Sequence, residues 1–340
     1  MTRVAMMGSG SWGTAFAIVL AHAGCDVTIW SRDPRTVEQI TTIHQNRTYH
    51  PGVELPENVT ATLSPDEALI GADMVVLAIP SQVVRSNLLQ WKPSVPKNAV
   101  IVSLIKGIEI GTSERMSQVI HETLGTPAEQ IAVVSGPNLA REIVQRQPTA
   151  TTVACADPAT ARAVQQACTT NYFRPYWTTD VVGTEIGGSV KNVIAVANGM
   201  AVGMGLGENS QASLITRGLA EMARLGVALG ADPLTFQGLA GVGDLVATCQ
   251  SPLSRNRTFG ENIGSGLTVE ETIDITRQTC EAYKSCTPIW ELAQKHGVDM
   301  PITEQVVNVL HHGHSPTVMA AAFMARDTKA ESDLGGHEQA

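Results

Sequence analysis

The sequence predicts a doubly wound α/β domain over residues 1–180, an all-helical domain over 181–326 and a polar tail over 327–340. Three observations carry this reading. Short apolar runs alternate with helical patterns and with glycine- or proline-marked turns as far as residue 180. Strand-like runs then almost disappear. Beyond that point, residues 185–207 (EIGGSVKNVIAVANGMAVGMGLG) read as a helix apolar on every face, the mark of a buried central element. A chain of 340 residues is also too long for one small core.

Residues 2–7 read as a short buried strand that runs directly into Gly8-Ser9-Gly10-Ser11-Trp12-Gly13. A helix at 14–23 follows, stopped by Gly24, and then a second strand at 26–30. Strand, GxGxxG, helix and strand in this order are the context of a Rossmann-type dinucleotide site. Gly8 permits the tight turn, Gly10 lets the backbone approach a diphosphate, and Gly13 lets the helix pack closely on the sheet. The helix N-terminus supplies N–H groups and a favourable dipole for the anion. After the second strand come Ser31-Arg32, with Asp33 and Arg35 beyond. This slot leans to NADP, with Ser31 and Arg32 on the 2′-phosphate; the alternative is that Arg32 is a solvated loop residue and Asp33 binds the ribose.

The alternation continues with an edge strand at 59–62, a helix at 65–70 and a strand at 72–79 stopped by Pro80-Ser81. A strand at 99–103 leads to Lys106-Gly107, a helix covers 113–124, and a strand at 131–134 ends at Ser135-Gly136-Pro137-Asn138. Strands near 150–154 and 172–173 flank a helix at 158–168. Ligands of such sheets bind at the carboxyl ends of the strands. Those ends nominate the Gly8–Gly13 turn, Ser31-Arg32, Pro80-Ser81, Lys106 and Gly136-Pro137-Asn138. From position alone Lys106 is equally an ordinary loop lysine.

The buried helix carries one ionisable residue between 186 and 207, Lys191. A lysine is almost never fully buried unless it is paired or used, and burial disfavours its charged form. Lys191 is therefore a candidate proton acceptor, with Lys106 as a second cation. Downstream, LAGVGDLVATCQSPLSRNRTFG places Thr248 four residues after Asp244 on one helical face. Ser254 reads as an N-cap, and Arg255 beside a helix N-terminus makes a phosphate cradle. Taken singly, Asp244 reads equally as a helix cap and Arg255 as a surface charge; together with Lys191 they read as a site. A dinucleotide site joined to such a lysine points to hydride transfer.

The net charge of −9, with no long basic run, excludes a nucleic-acid stripe and leaves the binding of anions to local lysines and arginines. Six scattered cysteines without CxxC spacing argue against a disulfide framework or zinc and fit a reducing cytoplasm. His311, His312 and His314 read as a surface turn, and no metal is expected. The opening residues loosely imitate a signal peptide, but glycines interrupt the apolar run, and no run is long enough to span a membrane. The apolar helical part suggests a homodimer.

The ordered motifs GSGSWGTA, SLIKGIE, SGPNLARE, GGSVKNVIAVANG, LAGVGDLVATC and SRNRTFG resemble those of bacterial-type NAD(P)-dependent glycerol-3-phosphate dehydrogenases from the first strand to about Arg326. The resemblance implies a phosphorylated small-molecule substrate, interconversion of sn-glycerol 3-phosphate and dihydroxyacetone phosphate, and supply of the former to phospholipid synthesis. It implies Lys191 as proton acceptor; Thr248 and Asn192 are candidate supporting residues. Lys106, Gly136, Asn138, Asp244, Ser254, Arg255 and Asn256 would bind substrate. Ser11, Trp12, Arg32, Lys106, Ala140, Arg255 and Glu281 would contact NADP, or NAD. Two departures stand out: Asn138 where the family more often has Ser or Thr, and Cys280-Glu281-Ala282 where it has Val-Glu-Gly. β-Hydroxyacid dehydrogenases share a similar catalytic helix but act on carboxylates, and a non-catalytic redox sensor would have no use for a buried lysine.

Overall fold

The computed structural model describes residues 1–276 and 280–325, so the expected tail at 327–340 lies outside the described residues. The chain divides into two compact units, Met1–Lys106 with Met116–Val181, and Gly107–Arg115 with the chain from Val182. The sequence reading placed residues 107–115 in the first part; they go with the second. Ile108 is fully buried in the helical core, and Arg115 forms an ion pair with Glu185 at 2.5 Å. The same segment corrects the helix expected at 113–124, which starts only at Met116. Ser113 has φ +58° and Arg115 bridges back to Ile108, so neither is helical.

The first unit alternates β1 (Arg3–Met7), α1 (Ser11–His22), β2 (Asp26–Trp30), α2 (Pro34–Ile43), β3 (Val59–Thr62), α3 (Pro65–Leu69), β4 (Met74–Leu77) and α4 (Val84–Trp91). It continues with β5 (Val100–Ser103), α5 (Met116–Leu124), β6 (Ile131–Ser135), α6 (Ala140–Val144), β7 (Thr149–Cys155), α7 (Pro158–Ala167) and β8 (Phe173–Thr178). The eight strands form one sheet in the order 3-2-1-4-5-6-7-8, parallel except for the β6–β7 pair. Successive side chains of a strand face opposite sides of a sheet. In β1, Val4 and Met6 pack with Phe16 and Leu20 of α1, while Ala5 and Met7 pack with Leu88 and Trp91 of α4. Both faces are covered, which is why these strands read as continuous apolar runs. β8 is longer than the 172–173 expected. Pro175 and the exposed Tyr176 and Trp177 obscured it, and an edge strand tolerates both features.

The second unit is helical: α8 (Val181–Gly203), α9 (Glu208–Ala228), α10 (Asp244–Gln250), α11 (Arg255–Gly264), α12 (Val269–Thr276), α13 (Glu281–Lys295), α14 (Pro301–His312) and α15 (Pro316–Met324). α8 is its centre, buried continuously from Gly183 to Ala201. Glycines spaced four apart share one helical face. Gly199 and Gly203 of α8 meet Gly260 and Gly264 of α11 this way: a Cβ on Gly199 would lie 2.9 Å from Glu261 N, and one on Gly264 would lie 2.8 Å from Met200 Cα. The two backbones are therefore in direct contact, which fixes α11 and its N-terminus against α8.

Glu221 on α9 is 1% exposed and accepts from Ile302 N at 2.6 Å and from Thr303 N and Oγ1, both at 3.2 Å, so it caps α14 from a distance in sequence. Burial pushes its carboxyl up to about 7, while the Ile302 and Thr303 donors pull the other way. The folded protein then holds a proton that the unfolded chain releases near 4.5, so this residue's contribution to stability falls as pH rises from about 4.5 to 7 and is level above. Between pH 5 and 8 the expected loss is on the order of 2–3 kcal/mol. Denaturant unfolding across that range should show the slope in the wild type and its absence in Glu221→Gln; parallel profiles would contradict the assignment.

Candidate active site

In the first unit the glycine turn adopts the shape its sequence requires. Gly8 has φ +137°, and a Cβ there would lie 2.8 Å from the Ala78 carbonyl carbon, so only glycine fits. Among the described residues nothing lies within 4 Å of where a Cβ on Gly10 would stand. α1 starts after Gly10 with no side-chain cap, and the buried Trp12 indole N–H has no partner among the described residues. An open glycine, an uncapped helix N-terminus and a spare buried donor fit a dinucleotide diphosphate. The turn is braced from behind. Fully buried Asn46 donates to Ser9 O and Thr14 Oγ1, both at 2.9 Å. His50 Nε2 lies 2.8 Å from Ser11 O; a carbonyl only accepts, so this nitrogen carries the proton. Burial pushes the His50 imidazole below its usual range, and nearby Arg141 adds to this, while the Ser11 bond opposes it.

Arg32 is exposed just after β2. Asp33 is occupied in capping α2, accepting from Arg35 N and Thr36 Oγ1 at 3.1 Å each. Ser31 is buried and its hydroxyl accepts from Ser9 Oγ at 2.8 Å. Lys106 Nζ donates to Gly136 O at 3.0 Å, so the ends of β5 and β6 are joined. Asn138 Nδ2 donates to Thr151 Oγ1 at 2.9 Å, while its buried Oδ1 has no partner among the described residues. Ala140 opens α6.

In the second unit Lys191 is 7% exposed and Asp244 is 2% exposed. Nζ of Lys191 lies 2.8 Å from Asp244 Oδ1 and donates to Thr248 Oγ1 at 2.7 Å. The Thr248 hydroxyl donates in turn to Asp244 O at 2.6 Å. Two of the three ammonium donors are thus held by protein, and the third has no partner among the described residues. Gly187 makes this possible. The space a Cβ would fill there is taken by the Ala240 carbonyl oxygen, so a wide turn, Leu239–Gly243, presses onto α8 and starts α10 at Asp244. Gly187 therefore admits protein backbone against the helix.

Ser254 caps α11, accepting from Arg257 N at 3.3 Å, and Arg255 stands exposed at the first residue of that helix. Buried Asn256 donates to Asn192 Oδ1 at 2.9 Å, next to Lys191 in α8. Glu281 opens α13, half-buried. The structure thus joins Lys191, Asp244 and Thr248 in one cluster, and Asn192 to Asn256 in a second. Sequence reasoning passed over Asn46, His50 and the Arg115–Glu185 pair. Only the turn signals around Tyr49-His50-Pro51-Gly52 marked the first two, and nothing local marks a pair that is 70 residues apart.

A glycine-turn sheet followed by a helical unit with a buried, acid-paired lysine is the plan of a dinucleotide-dependent dehydrogenase. The NAD-dependent glycerol-3-phosphate dehydrogenase N-terminus model matches residues 3–161 and the corresponding C-terminus model matches residues 180–321. A glycerol-3-phosphate dehydrogenase [NAD(P)+] of Streptomyces griseus is 58% identical over 329 residues, covering 97% of this chain and 98% of that relative. One of Thermobifida fusca is 58% identical over 332 residues, covering 97% and 99%. The crystal structure of glycerol-3-phosphate dehydrogenase from Coxiella burnetii superposes with a TM-score of 0.90 at 35% identity, covering 95% of this chain and 98% of that one. The chain belongs to the NAD-dependent glycerol-3-phosphate dehydrogenase family.

Removing one partner of a buried ion pair leaves an uncompensated charge and costs about 3–5 kcal/mol. Asp244→Ala is expected to lose stability of that order in denaturant unfolding, and Thr248→Val about 1 kcal/mol for its hydrogen bonds. Wild-type stability in Asp244→Ala would contradict a charged pair at this position.

Proposed function

We propose that this protein interconverts sn-glycerol 3-phosphate and dihydroxyacetone phosphate with NAD(P)(H), and so supplies glycerol 3-phosphate for phospholipid synthesis. The observation that carries the reading is the buried Lys191 ammonium, held by Asp244 at 2.8 Å and Thr248 at 2.7 Å, in a chain that matches the family over nearly its whole length. When bound, the nicotinamide supplies or takes the hydride. Lys191 gives a proton to the carbonyl oxygen in reduction and takes the hydroxyl proton in oxidation. Asp244 and Thr248 orient Nζ and hold the charge that comes and goes on it.

The phosphate is taken by Arg255, Ser254 and Asn256 at the start of α11, where a guanidinium adds to the N–H groups of a helix N-terminus. Lys106, with Gly136 and Asn138 at the ends of β5 and β6, lines the substrate. Asn138 offers an orphan oxygen there, which suits a substrate hydroxyl. Gly8, Gly10, Ser11, Trp12 and Gly13 hold the diphosphate, with Ala140, Arg255, Lys106 and Glu281 as further contacts. Exposed Arg32 faces a 2′-phosphate, while Asp33 is committed to its helix cap, which supports a preference for NADP. A cytoplasmic homodimer completes the reading, supported by six buried, free cysteines and the apolar helical unit. Among the described residues no helix is long and apolar enough to cross a membrane.

Mixing the protein with NADPH and dihydroxyacetone phosphate should consume the reduced cofactor. In Lys191→Ala kcat should fall by ~10²–10⁴-fold, the usual worth of general acid–base catalysis. Arg255→Ala should mainly raise KM for the phosphorylated substrate. Folded wild-type protein that leaves NADPH untouched would sink the proposal.

A further inference from the structure

Asn256 is held on both sides of its amide. Its Oδ1 accepts from the Cys280 thiol at 3.2 Å and from Ala282 N at 3.3 Å, and its Nδ2 donates to Asn192 Oδ1 at 2.9 Å. A carboxamide has two acceptor sites on oxygen and two donors on nitrogen. Both oxygen sites are filled, one nitrogen donor goes to Asn192, and among the described residues the other nitrogen donor has no partner. We propose that Cys280 is a positioning residue that locks the Asn256 amide with its N–H toward the substrate phosphate. This rests on reading Asn256 as a phosphate ligand.

The chemistry favours the arrangement. An anionic oxygen needs donors, and an amide turned the other way would face it with a carbonyl. The Ala282 N–H is fixed by the backbone, and the thiol fills the second lone pair beside it. Burial pushes the Cys280 thiol up to about 12, so at neutral pH it keeps the proton that it donates. Cys280 is 8% exposed and flanks the start of α13, out of bulk water, so water is a poor substitute for the thiol. Valine, which the resemblance puts at this position, fills similar space and has no donor.

The test compares wild type, Cys280→Val, Cys280→Ala and Cys280→Ser in steady-state turnover of dihydroxyacetone phosphate with NADPH. Losing one neutral hydrogen bond should raise KM for dihydroxyacetone phosphate about three- to tenfold in the valine and alanine variants. Their kcat and their KM for NADPH should stay within about twofold, and serine, which keeps a donor, should restore the substrate KM. An unchanged substrate KM in both donor-free variants would overturn the proposal. So would equal impairment in the serine variant, because a loss of packing would produce that. A wild type without turnover would instead overturn the reading of the reaction, and this assignment with it.

Discussion

The second unit is organised around a charge placed where charges are costly. An ammonium on α8, surrounded by valine, isoleucine and alanine, is tolerable only with a counter-charge and hydrogen bonds close by. Asp244 and Thr248 provide them, and both come from a helix that could not approach if α8 carried side chains at every position. Gly187 opens the space for the turn that leads into Asp244. Gly199 and Gly203 open the space for α11, whose first turn carries Arg255 and Asn256. The composition that makes α8 look like an unremarkable apolar helix is thus also what lets its one lysine have partners.

The first unit works differently. Its candidate site is mostly backbone: a turn with φ +137° at Gly8, a helix start without a side-chain cap, and strand ends joined by Lys106 and Gly136. Backbone donors need bracing, since a mobile turn loses entropy each time it binds. Asn46 and His50 give that bracing from a segment with no regular structure of its own. The chain's net charge of −9 opposes the approach of anionic ligands. Attraction would fall to local cations, for which Lys106 and Arg32 in this unit and Arg255 in the other are the proposed residues.

Much of the fold was legible because periodicity and punctuation are local. β2 and β3 fall on their expected residues, and Ser254 caps α11 as the sequence indicated. What was not legible depended on distant contacts. Residues 107–115 look like the lead-in to a helix until Ile108 is found in the helical core. β8 hid behind Pro175 because tolerance of proline depends on being at an edge. In the candidate site, burial and composition singled out Lys191 and spacing paired Thr248 with Asp244, and the three side chains do meet in the structure. The role of Gly187 was missed: a glycine on a helix says that something comes close, and only the structure says that it is Ala240.

The central claim is that Lys191 carries the proton. The most direct measurement is the rate of Lys191→Ala with dihydroxyacetone phosphate and NADPH in the presence of small primary amines of graded basicity. The vacated space should admit an amine beside Asp244 and Thr248. The account predicts turnover that rises with amine concentration and varies systematically with amine basicity. A variant as fast as wild type without any amine would contradict it.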